Sequence, residues 1–165
     1  HKEQNLPTMI LRFFNIAGPN QSMKSGLVLP MMIKKAIRNE PIEIFGDGTQ
    51  VRCFMHIRDA AYIVQTLLRF IQFTSGEIYN VGNPYNEIHI GELANLVLKT
   101  TNSKSEIVFR EYDDVYPPGF QELNRRIPNM TKTLNAVRVG GGFVLQRDIA
   151  DIVKDMATQI EGRMV

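Results

Sequence analysis

A single cysteine, Cys53, leaves no means of building a disulfide framework or a thiolate metal site, and points to a reducing, cytoplasmic compartment. The three histidines have no metal-ligand spacing, which argues against a zinc centre. Excess charge is missing too. Lys plus Arg number 19 against 17 Asp plus Glu, a net charge of +2, too even for a nucleic-acid partner or an anionic membrane surface. No apolar run approaches the roughly 18 residues of a membrane span, and the amino terminus has no signal-peptide pattern. The sequence contains no Gly-x-Ser-x-Gly elbow, no internal repeat and no low-complexity tract.

What is present fits one soluble domain with a real core: 165 residues, 44% hydrophobic and 22% charged. The opening His1 to Pro7 reads as the middle of a surface segment leading directly into a core strand, the expectation for a piece of a longer protein. From there strand-like and helix-like patterns alternate. Thr8 to Phe14 has the length and apolar content of a buried strand. Leu29, Met32, Ile33, Ala36 and Ile37 recur at helical spacing. Ile42 to Phe45 is a short strand, and Gly46 to Thr49 a turn of residues that accept positive φ. Val51 to Ile57 alternates as one strand, with Arg52, Phe54 and His56 on one face. Asp59 is expected to cap a helix carrying Ala60, Ile63, Val64, Leu67, Leu68 and Ile71.

Further on, Glu77 to Val81 and Ile107 to Tyr112 read as strands. Ile90, Leu93, Ala94 and Val97 mark a helix between them. Asp113 to Asn124 reads as an irregular loop, and its Asp113-Asp114 pair as solvated charge. Thr131 to Val137 reads as a short helix, Gly140 to Gly142 as a flexible connection, and Asp148 to Glu161 as a last amphipathic helix.

Two positions carry candidate chemistry. Asn15 lies just past a strand that Gly18-Pro19 stops, where open parallel sheets present ligand-binding groups. Its amide both donates and accepts, suiting hydroxyls or phosphates; the alternative is a turn cap. Arg52, alternating inside an apolar strand, is suited to fork onto phosphate oxygens; the alternative is an ion pair with Asp59. Arg125-Arg126, at a loop end before Ile127-Pro128, offers further guanidinium groups.

The runs Arg12 to Pro19, Leu29-Pro30, Ile44 to Arg52, His56 to Ala61, Tyr79 to Asn83 and Arg125 to Lys132 keep one order and approximate spacing. Together they resemble the NAD-dependent sugar-nucleotide epimerase/dehydratase family of extended short-chain dehydrogenases, over about Leu6 to Val137. The resemblance implies an α/β fold: the carboxyl-terminal part of a Rossmann-like parallel sheet plus the smaller mixed α/β substrate-binding domain. The last strands of the dinucleotide-binding domain, about 8–15 and 77–82, would be interleaved with a nucleotide-sugar-binding domain within residues 1–165.

The same resemblance assigns expected roles. Asn15 would bond the sugar or diphosphate, Arg52 and one of Arg125 and Arg126 would grip the diphosphate, and Leu29, Pro30, Ile44 and Phe45 would wall the base. Asn129 stands where the family usually has Asp, and Gly140 to Leu145 departs from the pattern common before the last helix. The family's Gly-rich NAD-binding turn and its Tyr-x-x-x-Lys pair have no match here, so no catalytic residue is assigned and the chain alone is expected to be inactive. NAD would be bound mainly by residues outside this chain. The expected partner is a UDP-sugar, in the manner of UDP-glucose 4-epimerase-like members. UDP-glucuronate decarboxylase, dTDP-glucose 4,6-dehydratase, half of a split enzyme and a free-standing nucleotide-sugar-binding module are the alternatives. For the intact enzyme a homodimer is expected.

Overall fold

The structure is a computed structural model that describes residues 5–22, 26–114, 117, 119, 121–139 and 145–164. Three helices make the larger core. In α1, Val28–Ile37, the residues Leu29, Met32, Ile33 and Ala36 fall on one face and are buried. Pro30 sits in its first turn, where a missing N–H costs nothing. α4, Ile90–Thr101, buries Ile90, Leu93, Ala94 and Val97, and stops at Asn102 in the left-handed conformation (φ 49°). α6, Ile149–Met164, adds Ile152, Val153, Met156 and Ile160 to the same cluster. Against them lies a parallel pair, β3 (Ile42–Phe45) with β8 (Ile107–Arg110), in the register Ile42↔Ile107 to Phe45↔Arg110.

The second cluster gathers under another parallel pair, β1 (Ile10–Phe13) and β6 (Ile78–Val81). It joins Tyr79 and Val81 to Ala60, Ile63 and Leu67 of α2 (Ile57–Arg69) and Val137 of α5 (Thr131–Val139). The expected buried strand at Thr8–Phe14 is therefore found, but not buried: among the described residues β1 pairs with β6 alone, and Ile10 and Phe13 are 57% and 56% exposed.

Between the clusters the expected single strand Val51–Ile57 is broken in two. β4 (Val51–Cys53) is the centre of a three-stranded sheet, antiparallel to β7 (Glu87–His89) and parallel to β9 (Arg125–Arg126). β5 (Met55–His56) pairs instead with β2 (Ile16–Ala17). Phe54 is the switch, its N–H bonded to the Asn86 carbonyl. Because each half meets a different sheet, both faces are covered, and period-2 alternation says nothing about which side is wet.

Ile57 then opens α2, and its cap is His56, whose Nδ1 accepts from Arg58 N at 3.0 Å; the expected cap, Asp59, lies inside the first turn. α2 ends at Arg69, and Ile71 belongs to a separate short helix α3, Ile71–Thr74. β7 and β9 were not legible as strands, and Tyr112–Asp114 forms a 3-10 turn where the expected β8 continuation would run. The Gly140–Gly142 connection lies outside the described residues. No described helix is long and apolar enough to cross a membrane.

Candidate functional site

A cavity of about 750 Å³ opens where the start of α1, strand β3, strand β4 and the 121–126 segment meet. Its apolar side is built by periodicity. With Leu29 and Ile33 committed to the core face of α1, a rotation of about 100° per residue turns Val28 and Met31 to the cavity. Ile42, Ile44 and Phe45 of β3 complete that side, with Ile90 and Phe54. Phe45 leads into Gly46, where a positive φ of 72° and the Tyr112 ring, 2.6 Å from where a Cβ would stand, leave room only for glycine.

The polar side holds Asn15, Gln50, Arg52, Glu122 and Arg126. Asn15 takes a positive φ of 41° and ties the two halves of the broken strand together. Its Nδ2 donates to the Cys53 carbonyl at 2.9 Å, and its own carbonyl accepts from Met55 N at 3.2 Å. Gln50 donates through Nε2 to the Phe45 carbonyl (2.8 Å) and to the Tyr112 hydroxyl (3.1 Å). Arg52 is 7% exposed. Its Nη1 donates to the carbonyls of Val51 and Leu123, each at 2.8 Å, and its Nη2 to the Glu122 carboxylate. The alternative partner named from sequence, Asp59, is instead engaged by Arg147, through Nη1 at 2.5 Å and its backbone N–H at 3.3 Å. Asp59 falls a full turn and a sheet away from Arg52, because the chain changes sheets at Phe54.

Of the eight positions singled out in sequence, the cavity collects Asn15, Ile44, Phe45, Arg52 and Arg126. Leu29 and Pro30 are both buried, Leu29 in the helical core, and neither is among the lining residues. Arg125 does not line it either; its guanidinium is exposed and clasps Glu87, Nη2 to Oε1 at 2.7 Å. Strand alternation separates the two neighbours, since consecutive side chains in β9 leave on opposite faces. Asn129 caps α5, its Oδ1 accepting from Thr131 N at 3.0 Å. His56 does not line the cavity, and Cys53 is buried with its thiol pushed up to about 11 by loss of solvent, which keeps it protonated and inert.

Two further charges that line the cavity, Lys35 and Glu43, neutralise one another. Lys35 Nζ bonds Glu43 Oε2 at 2.5 Å, and that bond and charge, with Arg110 assisting, hold the Glu43 carboxyl below the usual carboxylate range. Sequence reasoning missed Glu122, Gln50 and Tyr112. Glu122 sits in an aperiodic stretch that offers no signal, whereas Val28 and Met31 were available from the helical spacing beside Leu29. Among the described residues no group of three His, Cys, Asp or Glu is arranged to hold a metal ion.

The family model described as the NAD dependent epimerase/dehydratase family matches residues 1–82. Over 132 residues the chain is 38% identical to a UDP-N-acetyl-alpha-D-glucosaminuronate decarboxylase of Bacillus cytotoxicus, covering 78% of this chain and 40% of that protein. It is 29% identical over 162 residues to UDP-glucuronic acid decarboxylase 4 of Arabidopsis thaliana, covering 98% of this chain and 34% of the relative. Among solved structures, UDP-glucuronic acid 4-epimerase of Bacillus cereus, in complex with UDP-glucuronic acid and NAD, superposes with a TM-score of 0.83 at 23% identity. That match covers 99% of this chain and 48% of the other. UDP-glucose 4-epimerase of Thermotoga maritima gives 0.81 at 21% identity, covering 99% and 49%. The fold is thus the Rossmann-like α/β fold of the extended short-chain dehydrogenases, and the chain spans less than half the length of these relatives.

The starts of α2 and α4 do not fit the pyrophosphate of the NAD carried by such neighbours. A pyrophosphate needs free N–H groups at a glycine-rich strand-to-helix turn. Here α2 and α4 follow their strands directly, and side chains already take the groups at their starts: Arg58 N bonds His56 Nδ1, and His89 N bonds Glu92 Oε2 at 3.4 Å.

Proposed function

We propose, from the premise that this chain belongs to the NAD-dependent epimerase/dehydratase family, that it is the nucleotide-sugar-binding half of an enzyme acting on a UDP-sugar. The observation that carries the reading is one cavity lined both by apolar β3 and α1 side chains and by Arg52, Arg126 and Asn15. A nucleoside diphosphate sugar has the same division: a flat base, two phosphoryl groups and a ring of hydroxyls.

In this reading Ile44 and Phe45 flank the base, with Val28 and Met31 taking the part first given to Leu29 and Pro30. Arg52 and Arg126 hold the diphosphate by charge-assisted hydrogen bonds. Asn15, with one of its two amide N–H groups committed to the Cys53 carbonyl, offers its amide oxygen to a sugar hydroxyl. NAD, when bound to the whole enzyme, supplies hydride transfer at the sugar; it would be held mainly by residues outside this chain. None of this chain's side chains is assigned to the proton transfer that accompanies it.

Epimerisation of a UDP-hexose is the first form of the reading. A second, oxidative decarboxylation of a UDP-uronic acid, is favoured by the two sequence relatives named above, both uronate decarboxylases. Calorimetric titration of the 165-residue chain with UDP-glucose, UDP-glucuronic acid and uridine tests the proposal. Saturable binding of either UDP-sugar, much tighter than that of uridine, supports it; no binding of either sinks it. With NAD added, neither reduction of the dinucleotide nor interconversion of UDP-glucose and UDP-galactose is expected.

A further inference from the structure

Within this cavity Arg52 is paired with an anion of the chain itself. Its Nη2 is bonded to the Glu122 carboxylate, while Nη1 is bonded to two backbone carbonyls, so three of its five N–H groups are committed. Resting on the reading of this cavity as a diphosphate site, we infer that Glu122 is the resident counter-ion of that site, displaced from Arg52 when a nucleotide diphosphate binds.

Three features of the structure carry the inference. The first is placement: Arg52, Arg126 and Glu122 all line the same cavity. Arg52 and Arg126 are register partners in the parallel β4–β9 pair, so their side chains leave the sheet on the same face, about 4.8 Å apart at the backbone. Two adjacent guanidinium groups match two linked phosphoryl groups, yet of the two only Arg52 has a carboxylate partner among the described residues.

The second is the way each group is anchored. The Arg52 side chain is 8% exposed, and both Nη1 bonds go to main chain, so it keeps its position without Glu122. The Glu122 side chain is 30% exposed, and among the described residues its only hydrogen bond apart from Arg52 is from its neighbour's N–H, Leu123 N to Oε1 at 2.9 Å. The 121–124 segment is held independently by Val51 N to the Asn124 carbonyl at 2.7 Å and by Arg52 to the Leu123 carbonyl. Glu122 is therefore free to swing outward while the strap beneath it stays in place.

The third is charge. A phosphoryl group on the same guanidinium would lie within a few ångströms of a carboxylate of like sign, in a part-buried cavity where such repulsion is weakly screened. Sharing costs more than exchange. The carboxylate keeps Arg52 from standing unpaired when the cavity is empty, and it reduces affinity by the amount needed to expel it, which favours release of the nucleotide.

The test is titration of the 165-residue chain and its variants with UDP, UMP and uridine, with folding checked by circular dichroism. Glu122→Gln retains shape and a hydrogen-bond acceptor but removes the charge. It should bind UDP about three- to tenfold more tightly, with the gain shrinking as salt is raised, and should leave uridine binding unchanged. Equal or weaker UDP binding by folded Glu122→Gln overturns the exchange and makes Glu122 a fixed support for Arg52. Should that variant fail to fold, the unsubstituted chain decides. The Glu122 carboxyl carbon resonance should move on titration with UDP and stay still with uridine; a resonance unmoved by saturating UDP overturns the proposal. Arg52→Ala separates the two levels of argument. If it leaves UDP affinity unchanged, or the unsubstituted chain binds no UDP, the diphosphate reading itself falls; if it weakens UDP and Glu122→Gln does not tighten it, only the exchange falls.

Discussion

Around α1, α4 and α6 the apolar side chains disappear from solvent, whereas β1 and β6 carry theirs to the surface. Leu93 and Ile33 are fully buried, while Ile10 and Phe13 on β1 are more than half exposed and Ile78 on β6 is 39% exposed. Both regions contain a two-stranded parallel pair, the kind of sheet normally covered on both faces. The difference is what each pair is given to lie against. β3–β8 has a layer of three helices; β1–β6 has α2 and α5, and an edge with no neighbouring strand among the described residues. The cavity belongs to the covered region, so the proposed nucleotide-sugar site would draw on the better-covered part of the molecule.

Equal truncations should break or bear out that contrast with the largest effect. Leu93→Ala removes buried methyl groups from the helical core and should cost about 2–5 kcal/mol. Ile10→Ala removes a similar volume from an exposed strand and should cost no more than about 0.5 kcal/mol. Urea unfolding of both variants measures the difference, and similar losses would mean that β1 is covered in solution.

Next in size is the pair of buried charges that the sequence left tangled. Arg52→Ala should weaken UDP binding about ten- to a hundredfold, corresponding to roughly 1.5–3 kcal/mol for a charge-assisted contact. It should also lower the melting temperature, since it strips a part-buried Glu122 and two carbonyls of their donor. Arg52→Lys should recover only part of the binding, because an ammonium cannot make the fork. Asp59→Asn, which loosens Arg147, should lower the melting temperature and leave UDP affinity alone. Weakened UDP binding in Asp59→Asn would make the two ion pairs one network.

What the sequence disclosed and what it hid follow the same division. Helices α1, α4 and α6 were legible because a buried helix face repeats every 3.6 residues, and nothing in their surroundings competes with that period. β3 was legible to the residue. The stretch 51–57 was misread because alternation reports one wet face, and a strand that changes sheets has none. His56 as a cap and Arg147 as the partner of Asp59 are contacts across 2 and 88 positions; the second has no local signature. Of the site, the motif residues Asn15, Arg52 and Arg126 were named in sequence, while Glu122 escaped because a carboxylate in an aperiodic loop looks like any solvated charge.

The uncovered edge predicts association. At high concentration the chain should self-associate through β1, read by light scattering, and Ile10→Lys with Phe13→Lys should reduce it, as charge on an edge strand does. A monomer at every concentration would mean that the exposed apolar groups on β1 are tolerated singly, as scattered surface residues are.

The smallest expected effect lies at the joint between the two regions, where His56 ends β5 and caps α2. Its ring is fully buried, with Nδ1 accepting from Arg58 N, so the neutral ring carries its proton on Nε2. That nitrogen stands 3.3 Å from Asp155 Oδ2 but is not aligned with it as a hydrogen bond. Burial first, and then the charge of Arg147, hold its pKa below the ordinary 6.5, outweighing the opposing pull of Asp155 and Asp59. The folded chain therefore resists a proton that the unfolded chain accepts. Stability is at its full value above about pH 6.5 and falls as the pH drops below it, by at most about 1.4 kcal/mol per pH unit for one proton. Protonation also places a hydrogen on Nδ1, where the cap needs a lone pair. His56→Asn keeps a capping side chain without a titrating ring. Urea unfolding at about pH 7.5 and about pH 5.5 should show a loss of stability in the unsubstituted chain that is largely absent in His56→Asn. An equal loss in both would assign the pH dependence to the carboxylates, of which Glu43 and Asp47 are also held below their ordinary values and titrate at lower pH.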